Sequence, residues 1–281
     1  MTPLHKIRPL YDHLRKKFSS VYRPAQNICI DEALCPWRGR SHMRVYMEDK
    51  TVKWGIKLNQ LCESGSGYVW DFKIMAHIPG LSPYDICHRL ISPLTHVGHC
   101  LYIDNFYCKC NPALCDSLAA VDTMVVGTVR SNRIDLPKDL IQQPMNRGDM
   151  DYRRRNQLLA LWWKDKRDVH LLTTKHTPTM QEHTSRTETK LKPTAVIDYT
   201  NNMSGVDLND QLMSYMPFHR KTVKWWKKVA LHLLTLCFVQ AHILHNKHRK
   251  QHRLRKWKLE KFVRTLCLNI AQKGQHAERE P

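Results

Sequence analysis

Asn27-Ile-Cys-Ile-Asp31 and Leu101-Tyr-Ile-Asp104 decide the reading of this chain. Each is a short apolar, β-prone run closed by an aspartate, which predicts two buried strands ending in a carboxylate. A third aspartate, Asp207, stands in Gly205-Val-Asp-Leu-Asn-Asp210, where a helix is predicted to begin. Carboxylates brought together from distant segments can hold a hard divalent cation. Each also has a plain structural reading. Asp31 and Asp104 could end strands as turn formers, Asp207 could cap a helix, and Asp210 could complement the first-turn amides.

Working outward, β-prone stretches at 27–31, 44–47, 55–62 and 68–74 are separated by turn formers such as Glu63-Ser-Gly-Ser-Gly67. A helix is predicted at 83–91, a strand at 100–104, a helix at 112–118 and a strand at 123–129, with Asp122 in a connecting turn. Antiparallel strands followed by helix, strand, helix, strand is the order of an α/β, ribonuclease H-like core, a mixed five-stranded sheet with helices. The ends of its first and fourth strands lie side by side, so Asp31 and Asp104 should meet. Beyond it, 158–163 and 168–174 predict a hairpin, and the polar, Thr-rich 175–192 predicts a loop. Long helices are then expected at 222–250 and 253–271. The expected organisation is the first part of the core over 1–130, a β-rich insertion domain over 131–203, and the final core helix with a basic helical region over 204–281.

The charge has a direction. Lys and Arg number 45 against 25 Asp and Glu, for a formal net charge of +20, which favours polyanions as partners. Between 219 and 265 the only acid is Glu260, so the positive charge is concentrated. Arg249-Lys-Gln-His-Arg-Leu-Arg-Lys256 reads as a phosphate-binding helix, a nuclear-localisation signal, or both. No export signal is expected at the N-terminus, because 1–9 lacks an apolar stretch. The apolar run 229–244 is interrupted by His232, Gln240 and His242, too short for a membrane span, and is expected to be a core helix. The cysteines read as reduced thiols, and Cys108-x-Cys110 with Cys115 lacks paired zinc-site spacing. His242, His245 and His248 are expected on a DNA-facing surface, Trp226 in the core, and Trp225 partly exposed against DNA.

The chain resembles the piggyBac transposases in its 20–34 segment, Arg38-Gly-Arg40, Lys53-Trp-Gly-Ile-Lys57, Gly67-Tyr-Val-Trp-Asp-Phe72, Tyr102-Ile-Asp-Asn-Phe-Tyr107, Gly127-Thr-Val-Arg130, Trp163-Lys-Asp-Lys-Arg-Asp168 and the 193–211 segment. The resemblance implies an enzyme with three catalytic aspartates that cuts transposon ends and joins them at TTAA targets. It puts Asp31, Asp104 and Asp207 on the catalytic, metal-holding positions, with Asp210 on a nearby acidic one, and Mg²⁺ or Mn²⁺ as cofactor. The expected partners are double-stranded DNA and a second copy of the chain in a homodimer, with no membrane, in the nucleus. The expected DNA contacts are Arg38, Arg40, Arg130, Arg220, Lys221, Lys224, Trp225, Arg249, Lys250, Arg253 and Arg255. Family members normally have a longer region before the first catalytic strand, and many end in a cysteine-rich zinc-binding domain. Ser204 replaces the more usual Gly before Gly-Val-Asp, and there is no Cys after Cys267. The reading is therefore a truncated or domesticated catalytic domain, with a non-catalytic DNA-binding or recruitment protein as the alternative.

Overall fold

β1 (Asn27–Pro36) is the strand around which the sheet is built. In the computed structural model, which describes residues 4–48, 50–75, 82–107, 111–133, 135–184, 188–216 and 222–277, it pairs antiparallel with β3 (Trp54–Glu63), from Ile28 opposite Glu63 to Pro36 opposite Gly55. On its other side it pairs in parallel with β5 (Cys100–Ile103), from Asn27 opposite Cys100 to Ile30 opposite Ile103. β6 (Met124–Thr128) lies parallel to β5, and β2 (Arg44–Tyr46) and β4 (Val69–Ile74) share the far edge of β3. The order β4-β3-β1-β5-β6 is the expected five-stranded core.

The sheet does not stop there. β9 (Asp168–Thr173) pairs antiparallel with β6, followed by β8 (Leu158–Lys164) and β7 (Met150–Arg155), to make nine strands. The predicted hairpin is β8–β9, and it extends the core sheet. The predicted loop at 175–192 is corrected: it holds a second hairpin, β10 (Met180–Thr184) and β11 (Thr189–Pro193). Its threonines are β-branched and suit a solvated ribbon, with the Thr184 and Thr189 hydroxyls 3.0 Å apart across it. Polarity marked exposure there, not irregularity.

Helices cover both faces, which is why β1 is mostly buried rather than cleanly alternating. They are α1 (Arg8–Val21), α2 (Pro83–Ile91), α3 (Asn111–Ala119), α4 (Lys138–Gln142), α5 (Thr194–Asn202), α6 (Gly205–Ser214), α7 (Trp225–Gln251) and α8 (Leu259–Ala277). α1 lies on β4: the Tyr11 and Phe72 rings sit 5.5 Å apart, and Arg15 grips Asp71 with hydrogen bonds of 2.7 and 2.6 Å. α2 begins where predicted, with Ser82 and Asp85 forming a reciprocal capping box.

The apolar run 229–244 lies inside α7, a 27-residue helix close to the long one expected at 222–250. By length and composition alone α7 could cross a membrane. Its Val229, Leu233, Leu236 and Val239 are instead fully buried in the common core, as a core helix requires. α7 ends at Gln251, and two residues on, Arg253 has a left-handed φ of 55°. The Leu254 amide then bonds back to the Arg249 carbonyl at 2.8 Å and that of Arg253 to Lys250 at 3.1 Å. The second long helix therefore starts at Leu259, not at 253.

Candidate metal centre and nucleic-acid surface

The parallel pairing of β1 with β5 ends at Ile30 and Ile103, so the next residues are Asp31 and Asp104. Asp104 follows the end of its strand as expected. Asp31 does not: β1 runs on to Pro36, because β3 keeps pairing with it, with Gln60 opposite Asp31. This continuation adds a residue the sequence reading missed. One oxygen each from Asp31, Glu32 and Asp104 lie within 4.8 Å of one another. Successive side chains on a strand point to opposite faces, so nothing in the Asp-Glu pair itself announces that both reach one site.

The surroundings hold these acids in place. The Phe106 and Tyr107 amides donate to Asp104 Oδ1 at 3.0 and 3.3 Å, and Lys57 Nζ donates to Glu32 Oε1 at 2.7 Å while standing 4.2 Å over the Phe106 ring. Burial raises the Asp31 carboxyl from 3.8 to about 8; the Glu32 amide opposes the rise, and the charges of Glu32 and Asp104 add to it. Burial and Glu32 likewise raise Asp104, against the Tyr107 and Phe106 amides and Lys57.

α6 supplies the other two acids. Asp207 lies in its first turn and Asp210 one turn further along. Asp207 does not cap the helix, as one structural reading had it. The cap position is Ser204, whose side chain makes no capping bond. Lys50 Nζ stands 3.8 Å from Asp207 and 3.7 Å from Asp210. Burial raises Asp210 to about 6, opposed by Lys50. The Asp207 side chain is 69% exposed, and neither α6 acid belongs to the three-carboxylate group. α6 packs against both β1 and β3, the strands that carry Asp31 and its partner Gln60.

The predicted DNA contacts divide. Arg38 and Arg40 are exposed in the segment after β1. Arg130, exposed just past β6, donates from Nε to Asn105 Oδ1 at 3.1 Å, which brings it beside Asp104. Lys224 is exposed at the start of α7, whereas Trp225 and Trp226 are both half-buried. Arg220, Lys221, Cys108 and Cys110 lie outside the described residues. Lys250, Arg253 and Arg255 are exposed, but Arg249 packs 5.0 Å from the Trp257 ring centre and bonds the Arg255 carbonyl at 2.7 Å.

The histidine expectation is corrected for His242 and His245, whereas His248 is exposed. His242 is buried with Nε2 2.8 Å from the Trp257 carbonyl oxygen, and His245 stacks on Trp257 and Phe262, so both join α7 to α8.

A set of carboxylate oxygens suits a hard cation such as Mg²⁺ or Mn²⁺. Burial and the neighbouring acids raise Asp31 and Asp104, a rise that Lys57 opposes at Asp104 without cancelling, and a bound cation would favour the charged carboxylates there.

A transposase family model, described as Transposase IS4, matches residues 1–242. Among curated proteins the chain is 24% identical over 262 residues to human PiggyBac transposable element-derived protein 3, covering 85% of this chain and 44% of that protein. It is equally similar, over the same share of this chain, to the human chimeric ERCC6-PGBD3 protein, of which it covers 24%. The chain thus spans less than half the length of these relatives. A solved structure, described as the cryo-EM structure of the piggyBac transposase synaptic complex with hairpin DNA, superposes with a TM-score of 0.88 at 23% identity, covering 99% of this chain and 59% of that one. The strand order and this likeness make the core ribonuclease H-like, and the chain belongs to the piggyBac transposase family.

Proposed function

We propose that the chain is the catalytic domain of a transposase with three catalytic aspartates, acting on double-stranded DNA by divalent-metal-dependent cleavage and strand transfer at TTAA sites. The observation that carries this reading is the convergence of Asp31, Glu32 and Asp104 at the end of the β1–β5 pairing, with the helix α6 that carries Asp207 and Asp210 packed against β1 and β3. Asp31, Asp104 and Asp207 would hold Mg²⁺ or Mn²⁺, with Glu32 and Asp210 close by. When bound, the metal supplies charge for the phosphodiester and lowers the pKa of an attacking water or 3′-hydroxyl. The amides of Phe106 and Tyr107 fix Asp104, Lys57 fixes Glu32, and Lys50 balances the α6 acids. Arg130, hydrogen-bonded to Asn105 next to Asp104 in the chain, is one of the proposed phosphate contacts. Arg38, Arg40, Lys224, Lys250, Arg253 and Arg255 extend the positive surface on which a duplex would lie. A homodimer and a nuclear site of action belong to the same proposal.

One observation favours the alternative, a transposase-derived protein that binds DNA without cutting it. Lys50 stands against both α6 acids, and Asp207 is outside the carboxylate group. The readings separate in one assay: nicking of a duplex bearing TTAA, with Mg²⁺ or Mn²⁺, by the wild type and by Asp104→Asn. Metal-dependent nicking lost in the variant supports the enzyme. Tight binding with no nicking by the wild type supports the alternative.

A further inference from the structure

Successive residues of a strand face opposite sides, yet one carboxylate oxygen of Glu32 lies within 4.8 Å of oxygens of both Asp31 and Asp104. The sheet allows it because the pairing of β1 with β5 ends at Ile30, which leaves that edge of β1 unpaired, among the described residues, at Asp31 and Glu32. A glutamate, one methylene longer than an aspartate, can span an open strand edge. Its place is fixed from several sides. Glu32 pairs with Asn59 on β3, and Lys57, two residues along on the same face, donates from Nζ to Glu32 Oε1 at 2.7 Å. Both side chains are largely buried, 10% exposed for Glu32 and 17% for Lys57. The turn after β5 closes over them: the centre of the Phe106 ring lies 4.2 Å from Lys57 Nζ, and the buried Tyr107 donates its hydroxyl to Asn59 Oδ1 at 2.9 Å. The amides of the same two residues hold Asp104. One turn therefore sets Asp104 and Glu32 together.

Lys57 takes one oxygen of Glu32, and a carboxylate has a second, so the pairing does not remove Glu32 from the site. Three ionised carboxylates against one lysine leave the charge that a divalent cation neutralises. Ligands on opposite sides of one Mg²⁺ stand about 4.2 Å apart, so three oxygens within 4.8 Å are spaced for a single ion. The α6 acids stand differently, with Lys50 Nζ 3.8 Å from Asp207 and 3.7 Å from Asp210. We propose that Glu32 is a metal ligand, and that with Asp31 and Asp104 it takes a first divalent cation while Lys50 still holds Asp207 and Asp210. This role rests on the reading of these acids as a metal centre, to which it adds a ligand and an order of filling.

The test is Mn²⁺ binding to the metal-free protein, followed by calorimetry in the wild type and in Asp104→Asn, Glu32→Gln and Asp207→Asn. Glutamine keeps an acceptor for Lys57, so Glu32→Gln removes the charge and leaves the contact. Its tightest Mn²⁺ site should weaken about tenfold or more, as in Asp104→Asn, since losing even an outer partner of a metal ligand costs about that much. Asp207→Asn should keep that site within about threefold, the scale of losing an exposed charge. Wild-type affinity in Glu32→Gln, beside a loss in Asp104→Asn, overturns the role of Glu32 and leaves the metal reading standing. Loss of the tight site in Asp207→Asn overturns the order of filling, and a wild type that binds no Mn²⁺ ends both readings. Electron–nuclear double resonance on wild-type protein made with carbon-13 glutamate decides without any variant. The first Mn²⁺ bound should couple to a glutamate carboxyl carbon, and absence of that coupling overturns Glu32 as a ligand.

Discussion

Ile30 lies opposite Ile103 in the last parallel pair of β1 and β5, and each is followed by an aspartate. The parallel ladder thus sets Asp31 and Asp104 at one level of the sheet, just past its last pair. Replacing Asp104 by Asn keeps its shape and removes a negative charge, so metal-dependent DNA cleavage should collapse while DNA binding stays equal or rises slightly. The same change at Asp122, a left-handed turn residue paired with the exposed His96, should alter neither. Nicking and binding assays on the three proteins check this.

The Asp31 carboxyl gives a pH signature in the metal-free protein. Its pKa rises from 3.8 to about 8 on folding, so the folded state holds a proton that the unfolded state gives up across that window. Below about pH 4 both states are protonated and Asp31 contributes no dependence; as pH rises from 4 to 8 the metal-free protein should lose stability. Asp31→Asn should flatten that part of the curve. Saturating Mn²⁺ should reverse the trend, since metal and proton compete for the same oxygens. Urea unfolding at a series of pH values measures all three.

Part of this site could be read directly and part could not. An apolar run closed by an aspartate announces a strand with a carboxylate at its end, and Asp104 lies just past its strand as predicted, whereas β1 runs on past Asp31 to Pro36. Glu32 joins them only because β1 outlasts its pairing with β5, a property of β3's length that no residue near Glu32 encodes. Lys50 meets Asp207 and Asp210 across a long sequence separation, again through packing alone. His242 and His245 looked like a basic helix face, but α8 folds back over them after Arg253 turns the chain, and their periodicity served an apolar joint.

Gln240 ties three elements together. Its Oε1 accepts from the Val69 amide at 2.7 Å and its Nε2 donates to Asn209 Oδ1 at 2.9 Å, while Asn209 reaches Gln60 at 3.4 Å. Gln240→Ala leaves buried partners unsatisfied and should cost about 1–3 kcal/mol in denaturant unfolding. A loss below a few tenths would mean the network relaxes without penalty.

DNA affinity should fall steeply with salt, with a slope of roughly −0.9 in log–log terms for each phosphate contacted. Charge reversal at the exposed Lys250, Arg253 and Arg255 should reduce that slope, whereas Arg249→Glu should chiefly destabilise the α7–α8 joint in which Arg249 packs on Trp257. Fluorescence anisotropy at several salt concentrations, with melting curves alongside, separates the two effects.

The central claim is that β1, β5 and α6 together build one metal centre. Anomalous diffraction from crystals grown with Mn²⁺ tests it most directly. The account predicts a strong peak bonded by Asp31 and Asp104, with Asp207 turned toward the same ion or its neighbour and Lys50 displaced from its present place between the α6 acids. No peak at these carboxylates, or Asp207 still paired with Lys50 at full Mn²⁺ occupancy, would contradict it.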